Sequence, residues 1–80
     1  MIDQELVRTA ARHVTAQLIG YEVSDTDSLV SSGLIDSLSV LDLIAGLEQQ
    51  LSLRIVPDTL QPEDFDSISL IVETVTRVSA

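Results

Sequence analysis

Few residues in this chain are equipped for chemistry, and one of them stands apart. Ser37 lies in the stretch Gly33-Leu34-Ile35-Asp36-Ser37-Leu38, at the mouth of a strongly apolar run. A serine there can cap a helix, a position at which Ser is among the best residues. It can also carry a phosphate ester. A helix N-terminus offers unpaired N–H groups and the positive end of the macrodipole, and both favour an esterified phosphate. Gly33 permits the chain to turn sharply just ahead of the serine.

Other chemistry is missing. His13 is the only histidine and falls on the polar side of a helix, where it reads as a solvated residue. With no cysteine, no lysine and no second histidine, nothing is present to activate Ser37 by triad logic. The stretch "DTDSLVSSGLID" begins like a calcium loop, but Leu29 occupies the third ligand slot, so no metal site is expected. Asp25 and Asp27 are paired carboxylates in a solvated loop with no sign of a dry pocket. No catalytic residue is assigned, and the chain is not expected to be an enzyme.

The chain's 80 residues suit one small domain spanning 1–80, with marginal stability for its size. Tyr21 and Phe65 are the only rings, so the core must be aliphatic. Thirteen acids face four arginines, for a net charge of −9. That balance argues against nucleic acid or an anionic membrane as partner and favours basic protein surfaces. The N-terminus shows no signal-peptide block and no stretch approaches a membrane span, so a cytoplasmic location is expected. The first methionine and the compact length suggest a free-standing protein.

The elements that position Ser37 are helices. Over residues 3–18, Leu6, Val7, Ala10, Ala11, Val14 and Leu18 recur at helical spacing, opposite Gln4, Glu5, Arg8, Arg12 and His13. Asp3 is the expected N-cap, Ile2 and Val7 a hydrophobic staple, and Gly20 the stop. Residues 20–36 form a long Ser/Asp/Gly-rich connection, pinned by Leu29, Val30, Leu34 and Ile35, with a brief helical turn near "SDTDSL". A second helix spans 37–51, with Val40, Leu43, Ile44, Leu47 and Leu51 on the core face. Its other side, Leu38, Leu41, Asp42, Ala45, Glu48 and Gln49, is acidic but carries apolar residues that no core obviously needs. Pro57 discourages helix in the following loop, and Pro62 opens a short helix in "PEDF". The last helix begins at Asp66 or Ser67, buries Ile68, Ile71, Val72, Val75 and Val78, and has Phe65 and Leu70 as a second staple across an Asp66 cap. The sum is an all-α fold: a small four-helix bundle of three main helices and one short one, with a long first loop.

Physics alone leaves Ser37 open between phosphorylation and phosphopantetheinylation. The motif "GLIDSL" followed by an acidic-apolar helix resembles the attachment motif of the acyl carrier and peptidyl carrier protein family. "LEQQLSLRIVP" is similar to the end of that family's second helix and its following loop, and "LQPEDFDSISLIVETV" to its third and fourth helices. The resemblance implies that Ser37 carries 4′-phosphopantetheine, whose thiol holds an acyl or aminoacyl thioester, so a chain without cysteine lacks nothing. It implies that a phosphopantetheinyl transferase installs the arm from coenzyme A and engages Asp36 and Leu38. Loading ligases and downstream synthases or transferases with basic surfaces would be the other partners. It gives the second face of helix two a use in docking: Leu38, Leu41 and Ala45 by apolar contact, Asp42 and Glu48 by charge, with Ile55, Asp58, Glu63 and Asp64 extending the surface. Fatty acid carriers commonly read Gly-x-Asp-Ser-Leu, and this chain has one more residue between Gly33 and Asp36. The longer form is similar to discrete carriers of amino-acid or specialised-metabolite pathways, of the polyketide or nonribosomal peptide type. Ser39, Gln49 and Gln50 stand where fatty acid carriers often have acids. Two rival readings use the same residues: an unmodified helical adaptor that binds a basic partner through Leu38, Leu41 and Ala45, and a phosphoserine switch at Ser37.

Overall fold

The first helix, α1, runs over Gln4–Ile19. Asp3 caps it from an extended conformation, its carboxylate accepting the Glu5 N–H at 2.9 Å. Gly20 ends it in the left-handed region at φ 89°, where its N–H donates to the Ala16 carbonyl at 2.8 Å. Helix α2 spans Ser37–Leu51 and α3 spans Ile68–Val78, with a short 3-10 helix at Pro62–Phe65 between them. This is the all-helical bundle of three long helices and one short one, without strands among the described residues. The computed structural model describes residues 3–55 and 60–78, so the expected roles of Ile2 and Pro57 lie outside the described residues. No described helix is long and apolar enough to cross a membrane.

Packing follows the apolar stripes. Val40, Leu43, Ile44 and Leu47 of α2 and Ile68, Ile71, Val72 and Val75 of α3 are buried, while Leu51 and Val78 pack against the core's edge. Phe65 is fully buried among these aliphatic chains; Tyr21 is exposed. Fully burying one such side chain contributes about 1.5–3 kcal/mol, so each matters in a domain this small. Helix α1 touches both α2 and α3, and the short helix also touches both. Serving two neighbours, α1 turns Val7, Ala10, Ala11, Val14 and Thr15 inward. Leu6 and Leu18, expected in that stripe, are 61% and 38% exposed, because they fall on its flanks. Leu6 instead lines an open groove of about 440 Å³ with His13, Gln50 and Leu51.

The connection from α1 to α2 is ordered from outside itself. Leu29 and Ile35 are buried as expected, and Val30 is half-buried, but Leu34 is 40% exposed. The expected helical turn near Ser24 is a tight turn: the Asp27 carboxylate accepts the Ser24 N–H at 2.9 Å, and the Asp27 N–H returns to the Ser24 carbonyl at 3.3 Å. Asp25 is half-buried rather than solvated. Its carboxylate is paired with Arg8 and, at 3.2 Å, with Arg12, and its carbonyl accepts the Ser69 N–H at 3.1 Å. The arginines of α1's outer face therefore reach the loop.

The start of α3 also departs from expectation. Ser67 Oγ accepts the Leu70 N–H at 3.1 Å and caps the helix. With the cap on Ser67, the staple register no longer joins Phe65 to Leu70, and Leu70 is 40% exposed. Asp66 is thereby free to face the loop.

Gly46 sets the approach of α2 to α1. A β-carbon there would lie 2.7 Å from a Val14 methyl, on a stiff β-branched side chain. Gly46→Ala gains about 1 kcal/mol of helix propensity and meets an overpacking cost of about 1–3 kcal/mol. The expected net result is a loss of about 1 kcal/mol, read as a lower urea midpoint at unchanged slope. A raised midpoint would show that Val14 yields freely.

Candidate functional site

Asp36, not Ser37, caps α2. Its backbone is extended at φ −87° and ψ 175°, and its carboxylate accepts the Ser39 N–H at 2.7 Å while its carbonyl accepts the Val40 N–H at 3.1 Å. Ser37 is already the first helical residue. An N-cap needs an extended backbone and a side-chain oxygen that accepts the N–H of the second or third helical residue, and only Asp36 offers both. The Ser37 hydroxyl takes no part in the cap, and the residue is exposed. The Asp36 carboxyl is held below the usual carboxylate range, first by the Ser39 N–H, then by the Ser39 hydroxyl, and least by the Leu38 N–H, against a small desolvation.

Ahead of this cap the chain is folded tightly. Gly33 sits in the left-handed region at φ 84° and donates to the Val30 carbonyl at 3.0 Å. A left-handed backbone suits glycine and strains a residue with a β-carbon. The Ile35 N–H then closes onto the Leu29 carbonyl at 2.8 Å, with both side chains buried. Asp36 and Ser37 thus emerge from a closed turn rather than from a free strand.

Beside Ser37 lies a small, mainly apolar cleft of about 120 Å³, walled by Val40 and Leu41 of α2 and by Leu60, Pro62 and Phe65 from across it. A group esterified to Ser37 would stand at the positive end of α2 with this cleft at its side. The surroundings fit a phosphodiester: an accessible oxygen, a helix N-terminus, and no bulky wall over the serine.

The other residues marked out by sequence separate into groups. Leu38 is 76% and Leu41 58% exposed, and Asp42 and Ala45 are exposed beside them at spacings that share one face of α2. Glu63 is exposed on the short helix. Asp64 is half-buried, its carboxylate accepting the Gln61 N–H at 2.9 Å. Ile55 does not belong to the surface: it is 2% exposed and packs in the core. Glu48 is half-buried and turns inward, accepting the Ile55 N–H at 2.8 Å, so it ties down the chain that leaves α2. Asp58 lies outside the described residues. His13 is exposed on α1, and no cluster of metal-ligating side chains occurs among the described residues.

Sequence reasoning gave Asp66 only a capping role and missed its bonds to the loop. One of its oxygens accepts the N–H groups of Leu29, Val30 and Ser31 at 3.2, 2.8 and 2.9 Å, and the Ser31 hydroxyl donates to the other at 2.8 Å. These bonds, led by the Ser31 N–H and hydroxyl, hold its carboxyl below the usual range. The available signal was "FDS", which offers two adjacent cap candidates; the one that does not cap is free for another task.

Comparison with known proteins bears on this arrangement. The family model described as "Phosphopantetheine attachment site" matches residues 9–75, which include α2, the short helix, the loop before Ser37 and most of α1 and α3. No curated protein matches the chain significantly.

The Asp36 cap makes a prediction about pH. Its carboxyl ionises at lower pH folded than unfolded, so the charge stabilises the fold above the unfolded value, and that contribution disappears as pH falls through the folded value. Asn also caps well, so Asp36→Asn isolates the charge. The stability gap between wild type and Asp36→Asn should be largest near neutrality and shrink below about pH 4. Urea unfolding at pH 7, 5 and 3 measures it; a gap that stays constant to pH 3 rules the charge out.

Proposed function

Because the chain belongs to the family of phosphopantetheine attachment domains, on which 4′-phosphopantetheine is covalently held, we propose that Ser37 is the residue that takes the arm and that the chain is a carrier without catalytic activity of its own. The observation that carries this reading is the relief of Ser37 from capping. Asp36 holds the helix end, so the exposed Ser37 hydroxyl is available to a modifying enzyme. Three other serines are committed elsewhere: Ser31 donates to Asp66, Ser32 to the Ser28 carbonyl, and the buried Ser67 caps α3.

The attached arm supplies the thiol on which an acyl or aminoacyl group is carried as a thioester. The protein's own residues do three other things. Asp36 and exposed Leu38 flank the serine for a phosphopantetheinyl transferase. Leu38, Leu41, Asp42 and Ala45 on α2, with Glu63 and Asp64 across the cleft, form an acidic and apolar face for loading and processing enzymes with basic surfaces. The fold keeps the attachment point at a helix end, where the tethered cargo swings between partners at high effective concentration. The residue added between Gly33 and Asp36 supports cargo of an amino-acid or specialised-metabolite pathway over housekeeping fatty acid synthesis. Exposed ion pairs contribute little individually, so docking is weak and fast.

Intact-mass spectrometry tests the attachment. Incubation with coenzyme A and a permissive transferase should raise the mass by one phosphopantetheine, and Ser37→Ala should abolish the gain. Labelling of Ser37→Ala, or no labelling of wild type, overturns the assignment.

The docking face has a separate test. Asp42→Lys should lower kcat/KM with a cognate loading enzyme by about three- to tenfold, less at high salt, with helicity unchanged. Unchanged turnover and unchanged circular dichroism would remove Asp42 from the face.

A further inference from the structure

The loop before Ser37 is held from α3's end of the molecule, and this bears on how the serine is offered. We propose that Asp66 is a positioning residue for modification of Ser37: it latches residues 29–31, and through them fixes the turn from which Asp36 and Ser37 emerge. The inference rests on Ser37 being the attachment residue.

The connection is continuous. The Asp66 carboxylate accepts three successive backbone N–H groups, from Leu29, Val30 and Ser31, together with the Ser31 hydroxyl. Its carbonyl also accepts the Leu29 N–H, at 2.7 Å. The carbonyls of the same two residues then receive the rest of the loop: Val30 accepts from Gly33, and Leu29 from Ile35. Ile35 directly precedes the Asp36 cap. Each backbone–backbone bond of residues 29–35 is therefore one step from Asp66, and the Ser32 hydroxyl adds a bond of its own, to the Ser28 carbonyl. The second anchor, Ser69 N–H to the Asp25 carbonyl, holds the earlier half of the loop but does not touch the turn.

The consequence is conformational. A transferase needs Asp36, Ser37 and Leu38 in one arrangement. If the turn is competent only a fraction of the time, the apparent affinity falls by that fraction while the bound complex reacts as before. Loss of the latch should therefore appear in KM and not in kcat. A global loss of stability, with the chain still folded, moves neither.

The test measures phosphopantetheinylation kinetics of the whole chain for Asp66→Ala, Asp66→Asn and Ser31→Ala. Val72→Ala, a buried residue of α3, serves as a control for lost stability. Asp66→Ala should raise KM for the carrier about fivefold or more at nearly constant kcat. Asp66→Asn retains an oxygen for the three N–H groups and should restore KM to within about twofold. Ser31→Ala, which loses only the hydroxyl's bonds, should show an intermediate rise and keeps the question answerable if Asp66→Ala does not fold. Amide hydrogen exchange at Leu29, Val30, Ser31 and Gly33 should accelerate in step with KM. A KM unchanged while those amides exchange faster overturns the positioning role. So does an equal rise in Val72→Ala. Absence of modification in wild type, with the latch amides still protected, instead overturns the attachment assignment and this inference with it.

Discussion

A long connection without regular structure must find partners for its own backbone, since a buried N–H without one costs about as much as a lost hydrogen bond. In this chain a single carboxylate takes the largest share of that demand. Asp66 gathers the N–H groups of Leu29, Val30 and Ser31, and so lets Leu29 enter the core without stranding the polar groups around it. The turn at Gly33, the burial of Ile35 and the entry into α2 follow from that fixed point. Arg8 and Arg12 hold Asp25 and secure the other half of the connection against α1. Two acids in an acidic chain thus work as internal hydrogen-bond and charge partners rather than as surface charge.

The head of α2 shows a division of tasks between neighbours. Asp36 takes the capping bond and Ser37 keeps an exposed hydroxyl. If Ser37 were the cap, its oxygen would be engaged with the backbone of the first turn. The same separation recurs at α3, where Ser67 caps and Asp66 turns to the loop. In both places an Asp-Ser pair has one member committed to the helix and the other to something else, and the order of the two tasks is reversed. At Asp36-Ser37 the acid caps; at Asp66-Ser67 the hydroxyl does.

Helix α2 has two faces because the bundle covers only one. Val40, Leu43, Ile44 and Leu47 meet the core, and Gly46 brings the helix close to Val14 of α1. Leu38 and Leu41 remain outside, exposed beside Asp42 and Ala45. Helical spacing put Glu48 on that outer face, and the family resemblance added Ile55 to the docking surface, yet the Ile55 N–H bonds to the Glu48 carboxylate at the end of α2 and Ile55 is buried there.

The periodic signals were legible along the chain. Apolar spacing located α1, α2 and α3, because a helix buries one stripe and the stripe recurs in the sequence, and Pro62 with the acids of "PEDF" located the short helix. Asp3, Gly20 and Pro62 marked boundaries because capping, the left-handed stop and proline's fixed φ act within a few residues. The motif around Ser37 was legible for the same reason, being contiguous. Which member of an Asp-Ser pair caps was not legible, since both have the needed oxygen and only the backbone dihedrals decide. Nor were the inward turn of Glu48, the exposure of Leu6, or the reach of Arg8 and Arg12 to Asp25. Local chemistry thus belonged to the sequence by itself: helices, an aliphatic core and a serine at a helix end. The tertiary structure alone decided which charges are partners and how the loop is held, because Asp66 meets Leu29, Val30 and Ser31 across a separation that no local pattern records.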